Sequence, residues 1–337
     1  FLSLAVVGCS DDSECVPCRC DSGSSFDGAG GDGPRADGAS PIEQGASDAG
    51  VDLAVDSAPA LPSLHVENPL GWASAQGGKG GTIIKVTTLA ASGAGSLKEA
   101  LATKGKRIIV FEVGGVIDLA GKSLSIKEPY VTISGQTAPS PGITIIDGAL
   151  SISTHHVVVQ HLRIRPGAKR HTKGWEPDGI TLYKASDVII DHCSLTWAVD
   201  ENIGISGPRH DGATLADWRS NTSHRVTVSH CLIAEALSDA THAKGPHSKG
   251  TLIHDNATDI AIVGNLFASN VDRNPLLKGG GQAAVINNLI DNPKSIAISY
   301  NLSSSEWSGH TPVDGKLTIV GNVLQHGPDT NSGTALL

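Results

Sequence analysis

One short phrase recurs through the second half of the chain, and it constrains the fold more than any other feature. Each copy is a run of apolar, mostly β-branched residues that ends in His-Cys, Gly-Asn or a similar pair. The copies lie at 157–162, 188–193, 226–231, 260–265, 284–289 and 317–322. Aligned on His161, His192, His230, Asn265, Asn288 and Asn322, they are separated by 31, 38, 35, 23 and 34 residues. Short strands that recur with loops of irregular length indicate a solenoid.

Further strands are predicted upstream of the phrase. Apolar, β-branched segments separated by Gly, Pro or Asn occur at 82–86, 108–113, 116–119, 131–134 and 143–146. No sustained helical periodicity lies between the last four, which argues against a sheet whose strands alternate with helices. We therefore predict an all-β fold, a right-handed parallel β-helix whose strands stack about 4.8 Å apart.

A short helix is predicted at the N-terminal end of the stack. Ser96-Leu-Lys-Glu99 matches a capping box, apolar residues follow it, and Gly105 is placed to end the helix. Such a helix would cap the open end of the solenoid. The glycines from Gly77 to Gly81 do not have the spacing of a phosphate-binding loop, so we interpret them as a turn into the first strand.

The net charge of the chain comes entirely from its first 62 residues. Residues 1–62 carry eleven acidic residues against Arg19 and Arg35, a charge of −9 that equals the net charge of all 337 residues. The remaining 275 residues hold 23 acids and 23 bases, so bulk charge gives no reason to expect nucleic-acid binding. An acidic ligand of this part needs a local site or a bridging cation.

The N-terminal segment predicts export. Residues 1–8 resemble the end of a bacterial lipoprotein signal, with Cys9 as the lipidated residue, and a plain secretory signal is the alternative. Residues 9–62 are rich in Asp, Gly, Ser, Ala and Pro, which predicts a disordered acidic linker before a domain at 63–337. For Cys15, Cys18 and Cys20 we expect local disulfide pairing rather than zinc. The predicted location is extracellular or at the cell surface, with membrane contact only through Cys9.

Two His-Cys pairs, 192–193 and 230–231, occupy matching positions of the phrase and suggest a zinc site. Neighbouring side chains of a strand point to opposite faces, so His192 and Cys193 are poorly placed to share one ion. We expect Cys193 and Cys231 to stack in the core with the histidines outside. A disulfide between the two cysteines stays an alternative.

Clusters of charged residues interrupt the repeat. Carboxylates at Glu176, Asp178, Asp200 and Glu201 come from consecutive coils and present only oxygen, which suits a hard cation such as Ca²⁺. Solvated surface acids are the alternative. Cations follow at Lys244, Lys249, Arg273 and Lys278, with His247 among them. On the same edge they would bind an anionic sugar, although a structural salt bridge equally explains Arg273.

Residues from about 64 to 325 resemble the pectate lyase family of extracellular β-helix enzymes. The resemblance rests on several motifs in order, at 93–99, 131–139, 191–197, 200–201, 245–250 and 273–275. It implies cleavage of polygalacturonate by β-elimination, with Ca²⁺ bridging enzyme and substrate, in a protein we expect to be a monomer. No single motif is specific for this family, but the presence of all of them in this order over most of a domain is a specific signal.

The resemblance also implies roles for individual residues. Asp178 matches a calcium-binding aspartate, Glu176 takes the place of a second, and Asp200 or Glu201 would complete the ion site. Arg273 matches the base proposed for this family and Lys249 a substrate-binding lysine, with Lys244 and His247 close to it in the sequence. Lys278 stands where a second arginine is common, and lysine offers only a point charge to a carboxylate.

The implied chemistry has one difficulty. Arginine has a pKa above 12, so almost none of it is unprotonated at neutral pH. We therefore expect an alkaline optimum and keep Lys249 as a rival base. Two other functions stay open: a glycoside hydrolase that uses Asp191, Asp200 or Glu201, and a non-catalytic polysaccharide-binding surface protein.

Overall fold

Three parallel sheets wind around one core in a computed structural model of the protein, which describes residues 70–337. From β2 (Arg107–Phe111) onward the chain adds strands to the three sheets in a fixed order, and every strand inside the stack pairs with the equivalent strands of the coils before and after it. The predicted right-handed parallel β-helix is thus confirmed. The signal, the linker and Cys9 lie outside the described residues, as does the predicted start of the domain at residue 63.

Sheet A has nine strands and contains the recurring phrase. Its members are β1 (Thr82–Val86), β2 (Arg107–Phe111), β5 (Val131–Ser134), β8 (His155–Gln160), β11 (Ser186–Asp191), β14 (His224–Ser229), β17 (Thr258–Val263), β20 (Gln282–Ile286) and β23 (Lys316–Val320). Alternate side chains of these strands, such as Val188 and Ile190, are buried in the core. The β-branched residues of the phrase therefore pack inside the coil.

Sheets B and C complete each coil. Sheet B comprises β3 (Gly115–Asp118), β6 (Ile143–Ile146), β9 (Leu162–Arg165), β12 (Ser194–Thr196), β15 (Leu232–Ala234), β18 (Leu266–Ala268), β21 (Leu289–Asp291) and β24 (Val323–Gln325). Sheet C comprises β4 (Leu124–Ile126), β7 (Leu150–Ile152), β10 (Ile180–Tyr183), β13 (Glu201–Ser206), β16 (Lys249–Ile253), β19 (Leu276–Lys278) and β22 (Ser299–Asn301). Short 3₁₀ turns lie at Gly135–Thr137 and Ser304–Trp307.

The sequence alignment of the phrase is wrong by one residue in its second half. Ser229 pairs with Val263, so Gly264 stands opposite His230, and Asn265 stands opposite Cys231. The outer column of the turn is His161, His192, His230, Gly264, Asn287 and Gly321, and all six have a φ between 51° and 65°. This left-handed conformation favours Gly and Asn over most residues, which explains the residues found there.

The inner column of the same turn is a ladder of polar contacts. The Asn265 side chain accepts from Cys231 N at 2.9 Å, and Asn288 and Asn322 repeat the arrangement in the next coils. Cys193 and Cys231 occupy this column as buried free thiols, while His192 and His230 are exposed. The expected separation of buried cysteines from outer histidines is confirmed, and the structure forms no disulfide between them.

The described residues contain two α-helices, one of which caps the N-terminal end of the stack. The predicted capping helix is α1 (Leu97–Ala102), and its Leu97 and Leu101 are buried in the core. Below it, the buried Arg107 donates to five backbone carbonyls, those of Ala100, Leu101, Gly105, Glu128 and Pro129. A second helix, α2 (Leu215–Asn221), is not predicted from the sequence. Among residues 70–337, no helix has the length and apolar character needed to cross a bilayer.

Candidate functional site

The charged clusters meet at the edge of sheet C where its strands begin. Glu201 opens β13 and pairs with Lys249, the first residue of β16, which in turn bridges to Asp272. Asp178 precedes β10 by two residues, and the pairing of Ile180 with Ile203 brings it level with Glu201. Consecutive coils therefore stack acidic and basic side chains in one column, because parallel strands in register bring equivalent positions together.

Three of the four predicted metal ligands lie together. Oxygens of Asp178, Asp200 and Glu201 are all within 4.8 Å of one another. Asp178 is held in place by two donors, the Thr181 hydroxyl at 2.7 Å and the backbone N–H of Glu201 at 3.2 Å. Glu201 is only 4% exposed, and Asp200 is half-buried. The group presents only oxygen atoms, which is the donor set that Ca²⁺ prefers.

The electrostatics of Asp178 indicate a shortage of positive charge in this cluster. Burial, and after it the charge of Asp200, raise the pKa of Asp178 to about 7, although the Thr181 hydroxyl and Arg273 act in the opposite direction. A carboxylate whose ionised form is disfavoured by burial and by a like charge is stabilised by a bound cation. The residues present therefore fit a hard divalent ion.

Glu176 takes a different place from the one expected. Its carboxylate accepts from Ala243 N at 2.7 Å and lies 3.6 Å from Nε2 of His242. The group of mutually close carboxylates does not include it. The loop at 235–248, which follows sheet B two coils later, contacts Glu176 through Ala243 and His242. The prediction that Glu176 is a metal ligand is thus not supported by its position.

His247 lies beside the carboxylates rather than on an open surface. It is nearly buried, its ring stacks on His242 with centroids 3.4 Å apart, and its Nε2 is 3.5 Å from Asp200 Oδ1. Little of this ring is free to meet a substrate. Lys244 is exposed in the same loop, so substrate binding through either residue stays a prediction.

Arg273 points into the carboxylate cluster. Its Nη1 forms an ion pair with Glu201 Oε1, and its backbone carbonyl accepts from Thr251 N at 2.6 Å. Burial lowers the pKa of Arg273, whereas the nearby Asp200, Asp178 and Glu306 act to raise it. The salt bridge considered from the sequence is therefore present. It joins Arg273 to a candidate metal ligand, so the pair belongs to the site itself.

The remaining cations are arranged on either side of Arg273. Lys249 donates to Asp272 Oδ2 at 2.6 Å. Lys278, at the far end of β19, donates to Asn301 at 2.8 Å and pairs with Glu306 at 2.8 Å. Glu306 also pairs with Arg209 at 3.1 Å, so sheet C carries a second cationic group beyond Arg273. Arg209, Asp272 and Glu306 were not predicted, and of these only Asp272, adjacent to Arg273, had a signal in the sequence.

No protein-family model matches the chain. Individual relatives do: the protein named "Probable pectate lyase C" of Aspergillus terreus is 34% identical over 260 residues, 77% of this chain and 53% of the relative. Its counterpart in Emericella nidulans is 33% identical over 262 residues, 77% and 52% of the two chains. The β-helix is a relative of the pectate lyases. The resemblance seen in the sequence is confirmed.

The comparison with solved structures agrees at the level of the fold. The crystal structure of Jun a 1, the major allergen from cedar pollen, matches with a TM-score of 0.51 at 19% identity, over 78% of this chain and 85% of that one. The chain spans about half the length of the curated pectate lyase relatives it matches. The activity given by the names of these relatives is therefore a proposal for this chain.

Proposed function

We propose that this β-helix is a calcium-dependent pectate lyase that cleaves polygalacturonate by β-elimination. The observation that carries the proposal is the cluster of Asp178, Asp200 and Glu201 in contact with Arg273 on one sheet edge. The names of the relatives supply the polymer. An extracellular or cell-surface location, as residues 1–9 predict, would bring the protein to such a polymer.

The proposed chemistry needs positive charge at the substrate carboxylate. The proton α to a carboxylate is weakly acidic, and cations must stabilise the enolate-like charge that forms when it is removed. Ca²⁺ held by Asp178, Asp200 and Glu201 would supply most of that charge. Lys249 pairs with Glu201 in the next coil, so it lies at the same end of sheet C, and its side chain is a hydrogen-bond donor. In this scheme Lys249 binds the substrate carboxylate.

Arg273 is the proposed proton acceptor. Its partial burial lowers its pKa, which is the direction a base requires, even though the carboxylates oppose the effect. We expect the turnover rate to rise with pH into the alkaline range, because the unprotonated fraction of a very basic group grows tenfold per pH unit. Lys249 stays the alternative base, and its ammonium group donates to Asp272 just as Arg273 pairs with Glu201.

The hydrolase alternative is not favoured by the position of the carboxylates. Asp191 ends β11 in sheet A and accepts from Ser229 and two histidines, so it is not a partner of Asp200 and Glu201. Retaining hydrolases need two carboxyl groups about 5–5.5 Å apart across a sugar bond, and inverting ones need a wider gap. The tight group of three at sheet C better suits an ion.

The test is turnover of polygalacturonate with Ca²⁺ and then with a chelator. Elimination leaves an unsaturated product that absorbs in the ultraviolet, so we expect absorbance with Ca²⁺ and its loss on chelation. Release of saturated oligomers that does not depend on Ca²⁺ would indicate the hydrolase. Binding of the polymer without any product would indicate the non-catalytic surface protein.

A further inference from the structure

A pocket of about 430 Å³ has Trp197 in its lining, three residues before Asp200 in the chain. It is formed where sheet B ends, by Ile146, Asp147, the segment 165–170 and Trp197. We call it the flank pocket. The proposed chemistry does not use it. Its volume is in the range of pockets that take small ligands.

Trp197 forms an exposed and rigid wall of the flank pocket. Its side chain is 47% exposed, yet its indole N–H donates to Glu235 Oε2 at 3.2 Å. Its backbone is fixed on both sides, because its N–H donates to the Glu235 carbonyl and its carbonyl accepts from Gly167 N. An indole that is held by its polar edge and open on its face is a platform against which a sugar ring packs.

The segment 165–170, which lines the flank pocket together with Trp197, is also held by contacts within the fold. Trp175 donates through its indole N–H to the Gly167 carbonyl at 2.9 Å, and its ring stacks on His171 with centroids 3.8 Å apart. His171 contacts Asp147 at 2.5 Å. The loop that faces Trp197 is therefore anchored to the fold, which lowers the entropy that a ligand would have to offset on binding.

Two cations of the flank pocket have no carboxylate partner among residues 70–337. Arg165, Lys169 and Arg170 line the pocket, but Arg170 is paired with Asp118 at 2.6 Å and with Asp147 at 3.3 Å. Arg165 is held by Ser194 at 2.5–2.6 Å, whereas Lys169 is exposed. Positive charge beside an aromatic face favours an anionic ring over a neutral one.

The flank pocket and the candidate site are built from the same two connections of the chain, 166–179 and 197–200. Trp175 directly precedes Glu176, and Trp197 comes three residues before Asp200. The two segments are joined at this point, because the N–H groups of Val199 and Asp200 both donate to the Pro177 carbonyl. A polymer that reaches Asp178 and Asp200 has the flank pocket beside it.

We propose that the flank pocket is a subsite for one uronate residue of an acidic polysaccharide. Trp197 stacks on the sugar ring, and Arg165 and Lys169 bind its carboxylate. The inference rests on the proposed function for the identity of the polymer. It adds Trp197 and the segment 165–170 to the residues that determine how the polymer is held.

The test compares Trp197→Ala with Trp72→Ala. Trp72 is 50% exposed and lines a different pocket, so it is a matched control for loss of a surface indole. Binding of saturated oligogalacturonates is measured by calorimetry with Ca²⁺ present, with every protein in the Arg273→Ala background so that the oligomers are not cleaved. We expect Trp197→Ala to weaken binding about tenfold, Trp197→Phe to recover most of the affinity, and Trp72→Ala to bind as the wild type does. Unchanged binding by Trp197→Ala would overturn the inference.

A second arm uses charge, and it holds even if Trp197→Ala does not fold. Lys169 is exposed, so we expect Lys169→Glu to keep the wild-type melting temperature and to weaken binding of the oligogalacturonates. The loss should be greater at low salt and smaller for methyl-esterified oligomers, which lack the charge. Equal affinities of the wild type and Lys169→Glu for the charged oligomers would contradict the proposal.

Failure of the two proposals is distinguishable because binding and product are measured separately. If the wild type binds oligogalacturonates through Trp197 but forms no unsaturated product, the lyase function is wrong and the subsite stands. If product forms with Ca²⁺ and the Trp197 and Lys169 variants bind normally, the subsite is wrong and the lyase function stands.

Discussion

Asp191 and Asp178 both lie at or near the ends of strands in the same β-helix, but their surroundings differ. Asp191 ends β11 in sheet A, where it accepts hydrogen bonds from Ser229 at 2.7 Å, His192 at 2.8 Å and His230 at 3.1 Å. Its burial alone would raise its pKa, but these bonds outweigh that effect and the pKa is lowered. Asp191 is thus fully compensated by its neighbours.

Asp178 receives fewer donors and faces other carboxylates. Burial and the charge of Asp200 raise its pKa to about 7. The contrast separates two uses of a buried acid in one scaffold. A carboxylate with enough donors stabilises the turn between sheets A and B, whereas a carboxylate among carboxylates marks a place for a cation. The predictions that follow test this difference.

The largest effect is expected at Arg273. Arg273→Ala removes the proposed proton acceptor, so we expect turnover of polygalacturonate to fall by at least about a thousandfold. The measurement is ultraviolet absorbance of the product in the presence of Ca²⁺. Arg225→Ala is the control, because Arg225 is also ion-paired, with Asp187, but lies in sheet A. Loss of activity in both variants would mean that Arg273 acts only through the fold.

The next effect concerns calcium affinity and compares the two aspartates directly. Asp178→Asn removes one charge of the proposed ion site, and we expect the Ca²⁺ dissociation constant to rise at least tenfold, about 1.4 kcal/mol. Asp191→Asn should leave it unchanged. Calorimetric titration with Ca²⁺ measures both. An equal response of the two variants would remove the distinction between the two carboxylates.

The free energy of unfolding should respond more to the change at Asp191 than to the change at Asp178. Asp191→Asn weakens three hydrogen bonds to a buried carboxylate, so we expect a loss of about 1–3 kcal/mol of unfolding free energy. The folded state lowers the pKa of Asp191, so its contribution is present above the unfolded pKa and is lost as pH falls through the folded pKa. The difference between wild type and variant should therefore narrow in acid. A gap that widens in acid would contradict this.

A separate effect on stability is expected from the titration of Asp178 when divalent ions are chelated. The folded state binds a proton more tightly than the unfolded state between pH about 4 and its pKa of about 7. Stability should therefore fall as pH rises through this window. Asp178→Asn should flatten the slope, and thermal melts at a series of pH values with a chelator measure it. An unchanged slope would show that Asp178 is ionised throughout.

The smallest expected effect is that of reductant. Cys193 and Cys231 are buried free thiols, and burial raises the pKa of Cys231 well above its usual value. Reductant should therefore leave the melting temperature of the β-helix unchanged. Thiol reagents should modify the two residues only after unfolding. Rapid labelling of the native β-helix would contradict the buried column.

The sequence predicts the solenoid well, because stacked strands leave a repeat of β-branched residues that no other fold of this length requires. The exact register is harder. His230 and Gly264 share a turn position since both adopt positive φ, and chemical likeness between histidine and asparagine misleads an alignment that ignores the backbone. Helix α2 does have a signal, the capping box from Thr214 to Asp217, which also forms in the structure.

The sequence predicts the grouping of the candidate site residues only in part, for a different reason. Asp178, Glu201, Lys249 and Arg273 lie together because each is just before or at the start of a sheet C strand, where the register brings them together. Glu176 lies apart from them because its partners, Ala243 and His242, come from a loop more than sixty residues later. The conformation of such a loop depends on contacts that no local pattern encodes.

From β8 onward, the connections before and after sheet B differ in length. Between sheets A and B the connection is then only His161, or residues 192–193, 230–231, 264–265, 287–288 and 321–322. Between sheets B and C it extends over 166–179, 197–200, 235–248, 269–275 and 292–298. Insertions and deletions in the second connection leave the pairing of the strands intact. Proteins built on this frame can therefore diverge in ligand and chemistry at one connection while the other holds the coil spacing constant.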